Sequence, residues 1–396
     1  MPMDRFDFAR AELDRLKQAD LLRRPVRVDS VQGPVVEIGG RQKVTFCSND
    51  YLSLAGHPHL RRAVCDAVTR YGHGAAASRL ISGTMKLHVE LEARLAGLLQ
   101  KPAALVFPSG WTANEGLIRT IAQKGDLLLL DRLDHASIID AARAAEAQFR
   151  TYRRDRPDRL IKLLADGRFR RKFIITESIF SMDGDTADLA VLVELKNKYG
   201  AFLVVDEAHA FGCLGPAGAG LAEQMQLLDE VDIVVVTLSK ALGSAGGAVA
   251  ADRAVIDLLI NKSRSFIYTT APTVANCAAA LAALDILRNE PQRRQRLHDN
   301  ALYLRGRLKG LGLDTGASQS HVIPLMIGDT KKALDVSQRL FEVGFFIPAI
   351  RPPTVAPGTA RLRISVQSGH TKQQMDALCE ALKELIDESL LRSSSL

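Results

Sequence analysis

The chain has 396 residues, 47% of them hydrophobic, and a formal net charge of +7, so it is long and apolar enough to bury the cores of two or three domains. No window approaches the roughly 18 consecutive apolar residues of a membrane-spanning helix, and the N-terminus has no apolar signal core, which predicts a soluble cytoplasmic protein without a membrane partner. The charge comes with no nucleic-acid-binding signature, and the five cysteines lack paired metal-ligand spacing, so we expect neither a nucleic-acid partner nor a metal site.

The N-terminal segment, residues 1–55, is predicted to contain a helix and a small hairpin. Apolar residues recur at helical spacing over residues 4–22 and stop before Pro25, which a helix interior does not tolerate. Between residues 35 and 46 an alternating pattern is interrupted by two glycines, which is typical of a hairpin.

Residues 56–290 are predicted to form a large α/β domain. Apolar runs of strand length alternate here with helical stretches, a pattern that favours a mostly parallel central sheet covered by helices on both faces. The alanine-rich stretch 271–287 predicts a buried or interface helix. The predicted strands include residues 103–107, 127–130, 173–176, 201–205 and 231–236.

A smaller α+β domain is predicted over residues 291–396, after the dipeptide Glu290-Pro291. Thr371 followed by Gln374 predicts a capping box at the start of its last helix. The predicted strands of this domain are residues 322–327, 345–350 and 361–366, and its predicted helices are residues 333–342 and 372–391.

Three of the predicted core strands of the large domain end in ionisable residues. One runs into Glu177, the next into Asp206 and His209, and the third into the segment that contains Lys240. Taken alone, Lys240 would be read as a solvated loop lysine. However, ligands of open α/β sheets bind at the carboxyl ends of the strands, so we expect these residues to face one pocket. Burial there would favour a neutral, nucleophilic amine that can form an imine with a carbonyl compound.

The segment Ser109-Gly110-Trp111 follows the predicted strand 103–107 and is expected to begin a helix. Free amides and the helix dipole attract a phosphate at such a position, so Gly110 and Trp111 are candidate phosphate residues together with Thr237. A packing role for the Trp111 ring stays open. An ATPase interpretation of Asp-Glu-Ala-His at residues 206–209 would need a Gly-Lys-Ser/Thr loop, and the sequence contains no Gly-Lys dipeptide.

Eight segments resemble, in the same order, fold type I enzymes that use pyridoxal 5'-phosphate (PLP), and in detail the α-oxoamine synthase family. The resemblance implies a fold type I PLP-dependent transferase, with a large domain around a mostly parallel sheet and a smaller α+β C-terminal domain. It also implies a homodimer with shared active sites. The segments are residues 48–52, 79–84, 109–114, 134–138, 177–185, 206–209, 237–247 and 349–355.

The resemblance also implies roles for single residues. Lys240 would hold PLP as an imine and act as a base, Asp206 would pair with the pyridinium nitrogen, and His135 would stack on the ring, so these three are the catalytic candidates. The implied cofactor contacts are Gly110, Trp111, His135, Ser181, Asp206, His209, Thr237, Lys240 and, towards the neighbouring subunit's cofactor, Thr270. The implied substrate contacts are Arg24, Asn49, His135, Glu177, Thr354 and Arg363.

Within the family, residues 349–355 are most similar to the synthases that condense L-alanine with pimeloyl-CoA or pimeloyl-acyl carrier protein in biotin synthesis. Sister synthases, such as glycine C-acetyltransferase and 5-aminolevulinate synthase, share the other residues and stay an alternative, and a non-catalytic amino acid-sensing protein is a more distant one. Arg363 would grip the amino acid carboxylate. Arg361 lies two residues back on the same strand face, so this role is open between them. A surface role for Arg24 is equally open.

Overall fold

The computed structural model describes residues 5–391. Its helices are α1 (Asp7–Gln18), α2 (Pro58–Tyr71), α3 (Lys86–Leu98), α4 (Gly110–Ile121), α5 (Ala136–Ala144), α6 (Pro157–Leu164), α7 (Leu189–Tyr199), α8 (Leu221–Gln224), α9 (Arg253–Lys262), α10 (Arg264–Ile267), α11 (Val274–Asn289), α12 (Gln292–Gly310), α13 (Thr330–Glu342) and α14 (Lys372–Asp387). Its strands are β1 (Val35–Ile38), β2 (Arg41–Thr45), β3 (Ala103–Phe107), β4 (Leu127–Asp131), β5 (Gln148–Tyr152), β6 (Lys172–Glu177), β7 (Phe202–Asp206), β8 (Ile233–Thr237), β9 (Gly247–Ala251), β10 (Val322–Gly328), β11 (Phe345–Phe346), β12 (Ala349–Ile350) and β13 (Ala360–Ser365).

A seven-stranded sheet in the order β3-β9-β8-β7-β6-β4-β5 forms the centre of the described chain. Strands β4 to β8 pair in parallel, whereas β9 runs antiparallel between β8 and β3. Every residue of β3, β4, β8 and β9 is buried, because the helices of the parallel crossovers cover both faces of the sheet. The prediction of a mostly parallel central sheet is confirmed.

The C-terminal part of the chain forms a smaller antiparallel sheet in the order β10-β13-β12, which confirms the predicted smaller C-terminal domain. Helix α14 begins with the predicted capping box, in which the Thr371 hydroxyl accepts from the backbone N–H of Gln374. The division of the chain after residues 55 and 290 stays a prediction. No helix in the described range is both long and apolar enough to cross a membrane.

The prediction of one strand over residues 345–350 is wrong. Strand β11 pairs in parallel with β2 of the N-terminal hairpin, whereas β12 pairs with β13 of the C-terminal sheet. Pro348 lies between them, and a proline cannot donate a hydrogen bond to a continuous ladder. The chain therefore passes from one sheet to the other at this residue and ties the N-terminal hairpin to the C-terminal domain.

The order of the strands brings ionisable residues together at one edge of the large sheet. Glu177 at the end of β6 is directly opposite Asp206 at the end of β7, and Asp206 is opposite Val235 of β8. Helices α4 and α5 begin at the same edge, after β3 and β4, with Ser109 and His135 as their N-caps. The carboxyl ends of the parallel strands and two helix N-termini thus surround one space.

Candidate active site

A cavity of about 210 Å³ lies at this edge of the sheet. Its walls come from the ends of β6, β7 and β8 and from the first turns of α4 and α5. These parts meet because the three strands end, and the two helices begin, at the same edge of the sheet. Seven of the residues proposed from the sequence line it: Gly110, Trp111, His135, Glu177, Asp206, Thr237 and Lys240.

Lys240 lies three residues after the end of β8, partly buried on the cavity wall. Its Nζ is 2.7 Å from Nε2 of His209. Burial lowers the pKa of Lys240 to about 8, although the carboxyl groups of Asp206 and Glu177 raise it in part. A larger fraction of this amine is therefore neutral near pH 7 than for an ordinary lysine, which is the state that attacks a carbonyl carbon.

The two carboxyl groups beside Lys240 have different surroundings. Asp206 is held by two hydrogen bonds, because its Oδ2 accepts from Nδ2 of Asn114 at 2.8 Å and its Oδ1 accepts from the backbone N–H of Ala208 at 2.9 Å. Glu177 is also buried, but its Oε1 has no hydrogen-bond partner. Burial, reinforced by the charge of Asp206, raises the pKa of Glu177 to about 8. Glu177 consequently keeps its proton to a higher pH than an ordinary glutamic acid, and in the protonated state it can donate a hydrogen bond.

His135 is the N-cap of α5 and lines the cavity. Its Nδ1 accepts from the backbone N–H of Ser137 at 3.2 Å, and its ring meets that of Trp111 edge to face, with centroids 6.0 Å apart. Burial lowers the pKa of His135. The imidazole is therefore neutral, and its flat ring is available for stacking.

Helix α4 begins as predicted, since the Ser109 hydroxyl accepts from the backbone N–H of Thr112 at 3.1 Å. Gly247, the first residue of β9, lies against this turn so closely that an added Cβ would be 2.7 Å from the backbone nitrogen of Gly110. A Cβ on Gly110 would itself be 3.5 Å from the Thr237 side chain. The glycines keep the N-terminus of α4 clear of side chains, as anion binding at a helix N-terminus requires.

A second group of polar side chains, from widely separated parts of the chain, is linked to Lys240 by hydrogen bonds. Arg363, on β13, donates from Nη1 to Oδ1 of Asn49 at 3.1 Å and from Nη2 to the hydroxyl of Tyr51 at 3.2 Å. The Tyr51 hydroxyl is in turn 2.7 Å from Nδ1 of His209. A continuous chain of hydrogen bonds therefore links Arg363 to Lys240 through Tyr51 and His209.

Arg361 does not take part in this chain, although it lies on the same face of β13. Its Nη1 pairs with the carboxylate of Asp183, and its Nε donates to the carbonyl of Thr359. Ser181 contributes its backbone carbonyl, which accepts from Nε of Arg363 at 2.5 Å. Of the two arginines between which the sequence left a choice, Arg363 is the one whose contacts lead to Lys240.

Three of the predicted residues are exposed and do not line the cavity: Arg24, Thr270 and Thr354. The segments of Arg24 and Thr354 nevertheless lie close together. Arg351 donates to the carbonyls of Asp20 and Leu22 at 2.9 and 2.6 Å. Thr270 forms a bridge with Ser78.

Residues 41–382 match the family model for class I and II aminotransferases. The chain belongs to this family. It is 44% identical over 382 residues to 8-amino-7-oxononanoate synthase of Anaeromyxobacter dehalogenans, covering 96% of each chain. It is also 44% identical over 377 residues to 8-amino-7-oxononanoate synthase of Geobacter sulfurreducens, covering 94% of this chain and 96% of that one.

Three solved structures show the same fold as this chain. Sphingomonas wittichii serine palmitoyltransferase is 29% identical with a TM-score of 0.91 and coverage of 99% and 100% of the two chains. A structure of SPT with PLP is 30% identical, with a TM-score of 0.90 and coverage of 97% and 98%. The 8-amino-7-oxononanoate synthase of Francisella tularensis is 28% identical, with a TM-score of 0.77 and coverage of 88% and 99%. The predicted resemblance to fold type I PLP enzymes is confirmed.

The family resemblance led from the sequence to the segments that form the site, but two residues of the site were not predicted. Tyr51 and Asn114 lie inside segments that carry the resemblance, yet neither was assigned a role. Asn114 holds Asp206, and Tyr51 joins Arg363 to His209. The only signal in the sequence was their position in those segments, because their partners are far away along the chain.

Proposed function

We propose that this protein catalyses the reaction of 8-amino-7-oxononanoate synthase in the cytoplasm. In this reaction L-alanine condenses with a pimeloyl thioester to give 8-amino-7-oxononanoate, carbon dioxide and the free thiol, a step in biotin biosynthesis. The proposal is carried by one combined observation. Lys240, Asp206 and Glu177 meet at a single cavity in a chain that is 44% identical to 8-amino-7-oxononanoate synthase over 96% of its length.

The side chains around the cavity fit PLP as the cofactor. The N-terminus of α4, kept open by Gly110 and Gly247, suits the phosphate. The carboxylate of Asp206, immobilised by Asn114 at 2.8 Å, suits a pyridinium nitrogen. The amine of Lys240, with its pKa lowered to about 8 by burial, suits the aldehyde carbon. The three chemical groups of the cofactor thus each have a matching group on a different element.

PLP supplies a pyridinium ring that withdraws electrons and stabilises negative charge at Cα of a bound amino acid. The chain has to do the remaining work. Lys240 would hold the cofactor and would then accept the proton from Cα of alanine. Asp206 would keep the ring nitrogen protonated, and His135 would supply a flat ring for stacking. Glu177, whose pKa burial raises above its ordinary value, would donate a hydrogen bond near the substrate when it carries its proton.

Substrate binding is proposed to use Arg363 of the C-terminal domain and Asn49 of the N-terminal segment, which are linked to Lys240 through Tyr51 and His209. Arg363 and Asn49 hold the alanine carboxylate. In the structure, Nη1 of Arg363 donates to Oδ1 of Asn49 at 3.1 Å. The thioester enters beside Arg24 and Thr354, whose segments are joined through the contacts of Arg351 with residues 20 and 22. His209 and Ser181 are proposed as further contacts to the cofactor. The donor is either pimeloyl-CoA or pimeloyl-acyl carrier protein, both of which are acidic and suit the net charge of +7.

We also propose that the protein is a homodimer in which Thr270 contacts the phosphate of the partner subunit's cofactor. Its neighbourhood supports this arrangement, because Ile81 is 82% and Tyr268 is 73% exposed in the single chain. The bridge between Ser78 and Thr270 brings these two segments side by side. Exposed apolar side chains grouped in this way are typical of an interface.

Lys240→Ala tests the cofactor assignment. Wild-type protein treated with PLP and borohydride should carry one reduced pyridoxyl group on the peptide that contains Lys240, and the variant should carry none. Lys101→Ala is the matched control, because burial also lowers the pKa of Lys101, but this lysine donates to the carbonyls of Leu228 and Val231 and does not line the cavity. Covalent labelling that persists in Lys240→Ala and disappears in Lys101→Ala would reject the site.

The substrate pair is tested by a matrix of alanine, glycine and serine against pimeloyl-CoA, pimeloyl-acyl carrier protein and acetyl, succinyl and palmitoyl thioesters. We expect product, identified by mass, only from alanine with a pimeloyl donor. Serine with the palmitoyl donor is included because serine palmitoyltransferases superpose with TM-scores of 0.90 and 0.91. Preferred turnover of that pair, or of glycine with a short acyl donor, would reassign the protein to a sister activity.

A further inference from the structure

Tyr51 has no role in the function proposed above, yet its hydroxyl occupies a central place in the polar network. The side chain is 0% exposed. Its oxygen lies 2.7 Å from Nδ1 of His209, 3.0 Å from Oδ1 of Asn49 and 3.2 Å from Nη2 of Arg363. A buried hydroxyl with three polar neighbours has only one proton to donate, so the direction of each hydrogen bond constrains the others.

The donors and acceptors around Tyr51 allow two arrangements. Arg363 only donates, so the Tyr51 oxygen accepts from it in both. In the first, Tyr51 donates to Asn49, His209 donates from Nδ1 to Tyr51, and Nε2 of His209 accepts from Lys240 at 2.7 Å. In the second, Tyr51 donates to Nδ1 of His209, and Nε2 carries the proton and donates towards Lys240.

We propose that Tyr51 is a positioning residue that sets the tautomer of His209 and thereby decides whether Nε2 accepts a hydrogen bond from Lys240 or donates one. The first arrangement matches a charged Lys240, because an ammonium group has only donors. The second requires an acceptor opposite Nε2 of His209. The neutral amine of Lys240 supplies one, and under the proposed function an oxygen of the bound cofactor would supply another. Only this second acceptor depends on the proposed function.

Other charges face this pair, and they define what a titration would measure. Burial lowers the pKa of His209 well below its ordinary value, and it lowers that of His321, whose ring lies 4.1 Å from Tyr51, to about 3. Both imidazoles are therefore neutral at neutral pH. The remaining groups that act on Lys240 or His209 are Asp206, Glu177, Arg363, Cys213 and His135. Because the pKa of Glu177 is raised and that of Lys240 is lowered, the two titrations approach each other, and the readout has to be specific for the amine.

The first measurement uses the full chain freed of cofactor. Trace acetic anhydride labels neutral amines, so the acetylation of Lys240 followed by peptide mass spectrometry against pH gives its titration midpoint. In Tyr51→Phe, Nδ1–H of His209 has no acceptor, the other tautomer is favoured, and two donors face each other whenever Lys240 is charged. We expect the midpoint to fall by about one pH unit.

Tyr303→Phe is the matched control. The Tyr303 hydroxyl also donates to a side chain, Asp376, at 2.6 Å, but it lies on α12 outside the network. Its loss should leave the Lys240 midpoint unchanged. A general loss of stability caused by removing a hydrogen-bonded tyrosine hydroxyl would affect both variants, so only a difference between them supports the proposal.

The second measurement reads the tautomer itself. Nitrogen-15 spectra of protein labelled at histidine, with the His209 signals assigned from His209→Asn, should show the proton on Nδ1 in the wild type at a pH where Lys240 is charged. The proton should move to Nε2 in Tyr51→Phe. Asn49→Ala should produce the same change with Tyr51 in place, because the Tyr51 hydroxyl then has only Nδ1 of His209 to donate to. This variant decides the case if Tyr51→Phe does not fold.

An unchanged tautomer in Asn49→Ala and in folded Tyr51→Phe, together with an unchanged Lys240 midpoint, would overturn the positioning role. That result would leave the proposed function intact as long as borohydride still fixes PLP on Lys240. Conversely, absence of PLP fixation in the wild type would overturn the function while leaving the tautomer result valid, because both measurements are made without cofactor.

Discussion

Replacing Arg363 with alanine is the sharpest test of the substrate site. The side chain is 7% exposed, and its Nη1 and Nη2 meet Asn49 and Tyr51 at 3.1 and 3.2 Å. If it grips the alanine carboxylate, the variant leaves a desolvated anion without its partner, which costs about 2–5 kcal/mol. Alanine affinity should then fall by about 30-fold at the lower limit and about 4,000-fold at the upper one.

The assay is a titration of the PLP-loaded protein with L-alanine alone, followed through the visible absorbance of the cofactor, so no turnover is needed. Arg361→Ala is the control, because Arg361 lies on the same strand face but pairs with Asp183, and it should bind alanine normally. The KM for the thioester should change much less than alanine affinity in Arg363→Ala. Normal alanine binding in Arg363→Ala with weak binding in Arg361→Ala would move the role two residues back, and normal binding in both would refute the carboxylate site.

Three further outcomes are expected. Gly184→Ala should lower the free energy of urea unfolding by about 1–3 kcal/mol more than Gly125→Ala. Both glycines have positive φ, but only at Gly184 would a Cβ collide with a backbone oxygen, that of Val322, and equal losses would contradict this packing. Asp206→Asn should still bind PLP but lose deuterium exchange at Cα of alanine, which mass spectrometry detects, and unchanged exchange would exclude the proposed ring contact. Burial raises the pKa of Glu207 from 4.5 to about 7, so its stabilising contribution is present below pH 4.5 and is lost as the pH rises through 7. Relative to Glu207→Gln, the wild type should therefore lose unfolding free energy between about pH 5 and about pH 8, and parallel profiles would argue against the buried carboxyl.

The sequence alone determined most of the elements that build the site. Apolar runs of strand length predicted β6, β7 and β8, and each run ended at the polar residue that the structure places at the cavity: Glu177, Asp206 and the segment of Lys240. The capping signals were equally local, and Ser109 and Thr371 begin α4 and α14 as expected. These predictions succeeded because strand burial and helix capping depend on residues a few positions apart.

Only the tertiary structure decided which side chains meet across the chain. Arg363 and Tyr51 are 312 positions apart, and the alternation along β13 treats Arg361 and Arg363 alike, so no local pattern separates the arginine that reaches Lys240 from the one that pairs with Asp183. Residues 345–350 read as a single strand, but their two halves pair with different sheets. Strand propensity states that a segment is extended and half buried; its hydrogen-bond partner depends on the packing of distant elements, which the pattern of one segment does not contain.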